Sequence, residues 1–250
     1  MQFRFPDQTI TVNFSDREKL LAEVRRRFRA GHGFALGTIN LDHLVKLRRS
    51  SAFRKLYAAQ DLIVADGNPI VWLSRLAKKP VSLVPGSDLL RPILELAAKE
   101  NMPVAFFGSQ SEVLGKAAAK LTAEIPDLFV IWTQAPAMGF DPAGDDAKAA
   151  LHLMRDKGVR LCILALTSPK QEAFAILGRE LAPEIGFCCF GAGLDFVAGH
   201  QTRAPAWVRA IAMEWLWRAL SSPRRLVPRY AACAAILPKE VIEAVQQRSH

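Results

Sequence analysis

The chain is poor in acids, in cysteine and in recognisable catalytic signatures. Its 250 residues carry 24 Asp and Glu against 33 Lys and Arg, a formal charge of +9. That excess favours an anionic partner, whether nucleic acid, phosphorylated small molecules or acidic lipid headgroups. The four cysteines (162, 188, 189 and 233) lack zinc-ligand spacing, and three lie in apolar runs, so reduced, structural thiols in a cytoplasmic protein are expected. The five histidines (32, 43, 152, 200 and 250) are scattered, and no metal site is expected. There is no P-loop, no G-x-G-x-x-G after a strand, no H-E-x-x-H and no G-x-S-x-G. Gly191-Ala192-Gly193 lacks the third glycine, and no Asp-x-Asp pair is present to hold a divalent ion. The opening MQFRFPDQ has no apolar h-region, and no run nears the roughly 18 apolar residues of a spanning helix. Membrane contact, if made, is expected to be peripheral.

Half of the residues are nonetheless hydrophobic, enough for a full core. Short apolar runs alternate with helical patterns of 10 to 15 residues along most of the chain. Thr9 to Phe14 reads as an edge strand, and Ser15 or Asp16 as the cap of a helix ending before Gly31. Buried strands are expected at 33–38, 61–65, 104–107, 128–132, 160–166 and 187–190. One or two short helices are expected over 42–57, with further helices opening at Asn68-Pro69 and at Ser87 or Asp88, and over 112–123 and 145–157. Such alternation argues for an α/β fold: a mainly parallel sheet with helices on both faces, followed by a helical C-terminal appendage. The division is placed at residues 1–199 and 200–250.

In such sheets ligands bind beyond the carboxyl ends of the strands, where loops converge with helix N-termini. Those ends gather Thr38 and Asn40, Asp66 and Gly67, Gly108, Gly139, Ser168 through Glu172, and Gly191 through Asp195. Asp66, between a buried strand and a helix start, is placed to act as a general base, and Asp66-Gly67 equally reads as a turn. Thr38 and Asn40 suit a phosphate or sugar hydroxyl, and Asn40 also suits a helix cap. Ser168 to Glu172 sets Lys170, Gln171 and Glu172 at a helix start, where backbone N–H groups favour an anion. The same pattern is ordinary helix-start chemistry.

From Arg203 to Arg229 six arginines (203, 209, 218, 224, 225 and 229) face one acid, Glu214. Trp207, Val208, Ile211, Ala212, Trp215 and Ala219 recur at helical spacing and are expected to be buried, with Trp217 off that stripe. A Trp beside arginines suits a membrane interface.

In order and spacing, Thr38-Ile39-Asn40, Ala65-Asp66-Gly67, Pro85-Gly86-Ser87-Asp88-Leu89, Phe107-Gly108, Ser168-Pro169-Lys170-Gln171-Glu172, Gly191 through Phe196, Gly199, Arg203-Ala204-Pro205, Glu214-Trp215, Arg218, Pro223, Arg225 and Arg229-Tyr230 resemble the WecG/TagA/CpsF glycosyltransferase family. The resemblance implies a Rossmann-like core and an inverting transferase that needs no metal or other cofactor. It implies transfer of a hexose-type sugar from a UDP-sugar donor to a polyprenyl-pyrophosphate-linked saccharide in bacterial surface polysaccharide synthesis. Asp66 would be the base, Thr38, Asn40 and Gln171 would line the pocket, and Arg218, Arg225 and Arg229 would face pyrophosphate. Gly67, Gly86, Asp88, Gly108, Lys170, Glu172, Gly191, Asp195 and Arg203 complete the expected substrate-binding set. The appendage would meet an anionic membrane surface on the inner face of the cell membrane, and a homo-oligomer is compatible with the sequence. Thr167, Cys189 and Leu83 depart from the family pattern, standing where glycine, glycine and arginine are usual.

Two other classes compete. A basic nucleic-acid-binding module rests on charge alone, with aromatics on apolar stripes rather than on an exposed platform. A nucleotide-dependent oxidoreductase lacks the dinucleotide fingerprint.

Overall fold

The computed structural model describes residues 1–201, 204, 205, 208, 213–221 and 223–249, without the side chains of Glu214, Arg218, Ser221, Arg225 and Ser249. A two-stranded antiparallel ribbon, β1 (Gln2–Arg4) and β2 (Thr9–Thr11), opens the chain, with Phe3 opposite Ile10 and both buried. The strand expected at 9–14 is thus shorter and pairs within this ribbon. Helix α1 (Arg17–Ala30) starts where Asp16 Oδ1 accepts from the Lys19 N–H at 2.8 Å, and it stops at Gly31, whose φ of 73° suits a residue without a side chain. Leu20, Val24 and Phe28, four apart, form its buried stripe.

The main sheet has six strands: β3 (Phe34–Ile39), β4 (Leu62–Ala65), β5 (Val104–Gly108), β6 (Val130–Gln134), β7 (Leu161–Ala165) and β8 (Gly186–Cys189). Their spatial order is β4-β3-β8-β7-β5-β6, and every neighbouring pair is parallel. Counted from the first sheet strand this is 2-1-6-5-3-4, an order distinct from the 3-2-1-4-5-6 of dinucleotide-binding domains. Strand β6 begins two residues later than expected. It is an edge strand, only partly buried, and the pairing of β5 with it slips at Val104/Ala105, so the apolar Leu128 and Phe129 precede it.

Alternate residues of β3 feed opposite faces of the sheet. Phe34 and Leu36 pack with α1, α5 (Gly86–Lys99) and α6 (Ser111–Glu124). On the other face Ala35 packs with α7 (Asp145–Asp156) and α8 (Lys170–Leu181), and Ile39 with α2 (Leu41–Arg49), α3 (Ser51–Ala58) and α4 (Asn68–Leu76). Period-two alternation with both faces covered explains why these strands read as continuous apolar runs. The fold is therefore α/β with helices on both faces and a C-terminal helical region.

A short helix, α9 (Gly193–Val197), follows β8. The C-terminal region supplies α10 (Glu214–Ser221) and the 24-residue α11 (Pro223–Gln246). Helix α11 returns to the core. Arg48 of α2 pairs with Glu240 at 2.5 Å and Glu243 at 3.0 Å, and Gln247 Nε2 donates to the Gln2 carbonyl at 2.7 Å. Trp215, expected on a buried stripe, is exposed instead: its ring meets Tyr230 of α11 edge-on while Ala219, one turn later, is buried. Among the described residues no helix is long and apolar enough to cross a membrane.

Candidate active site

Strand order sets the site. With β4, β3, β8 and β7 side by side, their carboxyl ends bring the Asn40, Asp66, Ser168 and Gly191 segments to one edge. The Asp66 N–H donates to the Ile39 carbonyl at 2.8 Å, fixing the end of β4 against that of β3. The Asp66 carboxylate then receives the Thr38 hydroxyl at 3.5 Å. Gly67 follows with φ 99°, a conformation that a residue with a side chain adopts only under strain, and its turn lies against Asn40. The turn and base readings of Asp66-Gly67 are compatible, because the glycine makes the turn and leaves the carboxylate half-buried.

Asn40 caps α2. Its Oδ1 accepts from the His43 N–H at 3.1 Å, and His43 Nδ1 accepts from the Asn40 N–H at 3.3 Å. Tyr57 adds a third tie, donating from its hydroxyl to the Thr38 carbonyl at 2.6 Å beside His43 Nδ1 at 3.2 Å. Burial drives the His43 pKa down to about 3, with Lys46 acting in the same direction, so the ring is neutral at physiological pH. The Val84 N–H donates to the Ala65 carbonyl, carrying the next segment past the end of β4. Gly86 opens α5 so close to Phe190 and Thr38 that a Cβ there would lie 3.1 Å from the Phe190 ring. Asp88 is exposed in the first turn of α5.

On the far side, Gly108 ends β5 with φ 120°, and a Cβ there would stand 2.5 Å from the Ala165 carbonyl. The Ser109 hydroxyl reaches Asp195 of α9 at 3.0 Å. Gln171 joins α8 to the loop after β8: its Oε1 accepts from the Gly191 N–H at 3.1 Å, and its Nε2 donates to Glu172 Oε1 at 3.0 Å. Glu172 is 1% exposed, and burial raises its pKa against the opposing pull of Gln171. The expected anion cradle at the start of α8 is largely filled from within. The Lys170 and Gln171 N–H groups donate to the Thr167 carbonyl, and Lys170 Nζ donates to the Phe140 carbonyl at 2.7 Å.

Of the arginines, Arg229 pairs with Asp42 of α2 at 2.9 Å; Asp42 also holds Lys46 at 3.0 Å, and Lys46 Nζ lies 3.5 Å from the Ser168 carbonyl. Both cations lower the Asp42 pKa against its burial. Arg203 and the side chains of Arg218 and Arg225 lie outside the described residues. Among the described residues no group of three or more His, Cys, Asp or Glu is placed to hold a metal ion.

The model of the glycosyl transferase WecG/TagA/CpsF family matches residues 8–250. The chain belongs to that family. It is therefore a glycosyltransferase, which sets aside the nucleic-acid and oxidoreductase readings. In this WecG/TagA/CpsF member Thr38, Asn40, Asp66, Gly67 and Gly86 gather at the ends of β3 and β4, Gln171, Glu172 and Gly191 lie at the end of β8 and reach that group through His43, and Gly108 lies against Ala165 with its neighbour Ser109 reaching Asp195. His43, Tyr57, Lys46, Asp42 and Ser109 also belong to this neighbourhood and were not singled out by the sequence. Only His43 left a trace there: it occupies the third helical position after a capping Asn, where a capping partner is expected.

Proposed function

We propose that this glycosyltransferase inverts configuration at the anomeric carbon in a single displacement without a metal, moving a hexose-type sugar from a UDP-sugar to a polyprenyl-pyrophosphate-linked saccharide. N-acetylmannosamine, its uronic acid or glucose fits that description of the sugar. The acceptor hydroxyl oxygen bonds to the sugar C1 and the bond from C1 to the phosphate oxygen breaks. The electron pair leaves with UDP and the hydroxyl proton passes to Asp66. The observation carrying this reading is the half-buried Asp66 carboxylate at the junction of β3 and β4, in contact with the Thr38 hydroxyl and backed by the Gly67 turn. A base so placed contributes about 10²- to 10⁴-fold. The N-terminal turn of α5, drawn against Thr38 at Gly86, supplies backbone N–H groups for the departing phosphate.

The arginine-rich C-terminal region belongs to the acceptor side, with Arg218, Arg225 and Arg229 assigned to pyrophosphate. Trp215, Leu220 and Val227 are exposed beside the exposed Arg224, a combination suited to the inner face of the cell membrane. Each basic group near an anionic leaflet adds about 1 kcal/mol, enough in sum for reversible docking.

The decisive experiment is Asp66→Asn, measured for UDP binding by calorimetry and for turnover with a soluble lipid-pyrophosphate acceptor. Retained UDP binding with turnover reduced at least about 10²-fold is expected. Unchanged turnover would remove Asp66 from the role, and activity that EDTA abolishes and added metal restores would end the metal-free account. For the appendage, flotation with phosphatidylglycerol vesicles should weaken when Arg224 is replaced by Glu together with Trp215, Leu220 and Val227 by Ser, leaving the docking of α11 on α2 in place.

A further inference from the structure

Behind the strand ends, one chain of contacts, buried at its centre, links the two loops that carry the proposed binding residues. It starts at the Gly191 N–H, which donates to Gln171 Oε1, and continues from Gln171 Nε2 to Glu172 Oε1. Glu172 Oε1 in turn lies 3.9 Å from His43 Nε2. The His43 tautomer follows from its other nitrogen. Nδ1 accepts from the Asn40 N–H, so a neutral ring carries its proton on Nε2, on the Glu172 side. The chain ends at Asn40, with Tyr57 branching to the Thr38 carbonyl.

Glu172 is the midpoint, and it is a costly choice there. Its second oxygen, Oε2, and the Ser168 hydroxyl are buried without a well-formed hydrogen bond, although Ser168 lies near enough to pull the Glu172 pKa down against burial. A leucine would fill the volume without that penalty. It could not accept from Gln171, however, nor set a carboxyl oxygen 3.9 Å from His43 Nε2.

We infer that Glu172 is a positioning residue: from behind the strand ends it holds Gln171 against the Gly191 turn and faces His43 beneath the Asn40 turn, fixing the spacing of the loops that follow β3 and β8. It does not touch substrate. This rests on the reading of the loop ends after β3, β4 and β8 as the donor site.

Glu172→Gln and Glu172→Asp separate the possibilities. The amide of Glu172→Gln keeps an acceptor for Gln171 and an oxygen facing His43, and offers Ser168 a donor. Glu172→Asp keeps the acid but withdraws it by one methylene. Amide hydrogen exchange followed by NMR should show Glu172→Gln within about threefold of the parent at Gly191 and Asn40. Glu172→Asp should exchange about tenfold faster at both amides together, with the amides of Leu20 to Phe28 on the opposite face unchanged. The UDP dissociation constant should follow the same order, rising about tenfold for Glu172→Asp and staying within about threefold for Glu172→Gln. Faster exchange at one turn only, parental behaviour of Glu172→Asp, or equal loss of UDP binding in both variants would overturn the assignment. If the parent protein binds no UDP, the donor reading fails by itself and the exchange pattern still decides the role of Glu172.

Discussion

Thr38 Oγ1 donates to Asp66 Oδ2 across 3.5 Å, Thr38 lying in β3 and Asp66 directly after its parallel neighbour β4, with Thr38 paired to Val64 and Ile39 to Ala65. Register, and not loop flexibility, thus sets the geometry of the proposed base. A one-residue slip would turn the Thr38 side chain to the opposite face of the sheet.

Thr38→Val therefore tests the contact while keeping the branched shape. At this length the bond belongs at the weak end of the usual range of about 0.5–1.5 kcal/mol, so turnover should fall about two- to threefold. Thr38→Ser should retain most of it. A Thr38→Val protein with the parental kcat in steady-state assays would show that the hydroxyl does not orient Asp66.

The acid limb of stability should carry the signature of His43. Its folded pKa of about 3 lies below the ordinary value near 6.5, so between those pH values the unfolded chain takes up a proton that the native ring refuses. Its contribution is complete above the ordinary pKa and is lost as pH falls toward 3, at no more than about 1.4 kcal/mol per pH unit. Glu172 works in the opposite sense. Its raised pKa makes the native state take up the proton first, a contribution present at low pH and lost as pH rises. In His43→Gln, whose side-chain oxygen can still accept from the Asn40 N–H, the Glu172 effect is retained and the His43 effect is gone. Urea midpoints measured from pH 7 to pH 4 should fall less steeply for the variant than for the parent.

Much of this was legible in the chain because it is local. The cap of α1, its end at Gly31, the buried strands and the placement of Asp66 at a strand end follow from periodicity and turn chemistry over a few residues. The β1–β2 ribbon was half legible: Thr9–Thr11 alternates, whereas its partner Gln2–Arg4 is three residues long and is defined only by pairing. The participation of Tyr57 and Ser109 was not legible. Tyr57 joins the site by reaching back to Thr38, and Ser109 by reaching Asp195 86 residues later. Glu172 read as a first-turn acid near a helix N-terminus, and only the packing of α8 behind Thr38 and Asn40 turns it into a buried group.

Gly108 and Gly139 allow steric clash to be separated from backbone strain. Both have positive φ, 120° and 84°, but a Cβ at Gly108 would overlap the Ala165 backbone, whereas one at Gly139 meets nothing within 4 Å. Gly139→Ala should cost about 1 kcal/mol, through strain alone. Gly108→Ala should cost more than about 3 kcal/mol and displace Ser109 from Asp195. Denaturant midpoints of the two variants measure the difference; equal losses would mean that β7 yields at Ala165.

The last test concerns what holds α11 to the core. Arg48 pairs with Glu240, whose side chain is 1% exposed, and burial raises the Glu240 pKa even against Arg48. Desolvation therefore outweighs the attraction at this pair, and the two partners are not equivalent. Removing Arg48 leaves a buried carboxyl without its cation, whereas replacing Glu240 by Gln removes the charge that is costly to bury and keeps an acceptor for Arg48. Arg48→Met should thus destabilise by about 3–5 kcal/mol and Glu240→Gln by well under half of that. The arrangement also joins α11 to the site, because Arg48 and the Arg229 partner Asp42 both belong to α2. Arg48→Met should accordingly raise protease cleavage within 223–246 and raise KM for the proposed lipid-linked acceptor more than for the proposed UDP-sugar donor. Equal effects on both substrates would separate the docking of α11 from acceptor binding.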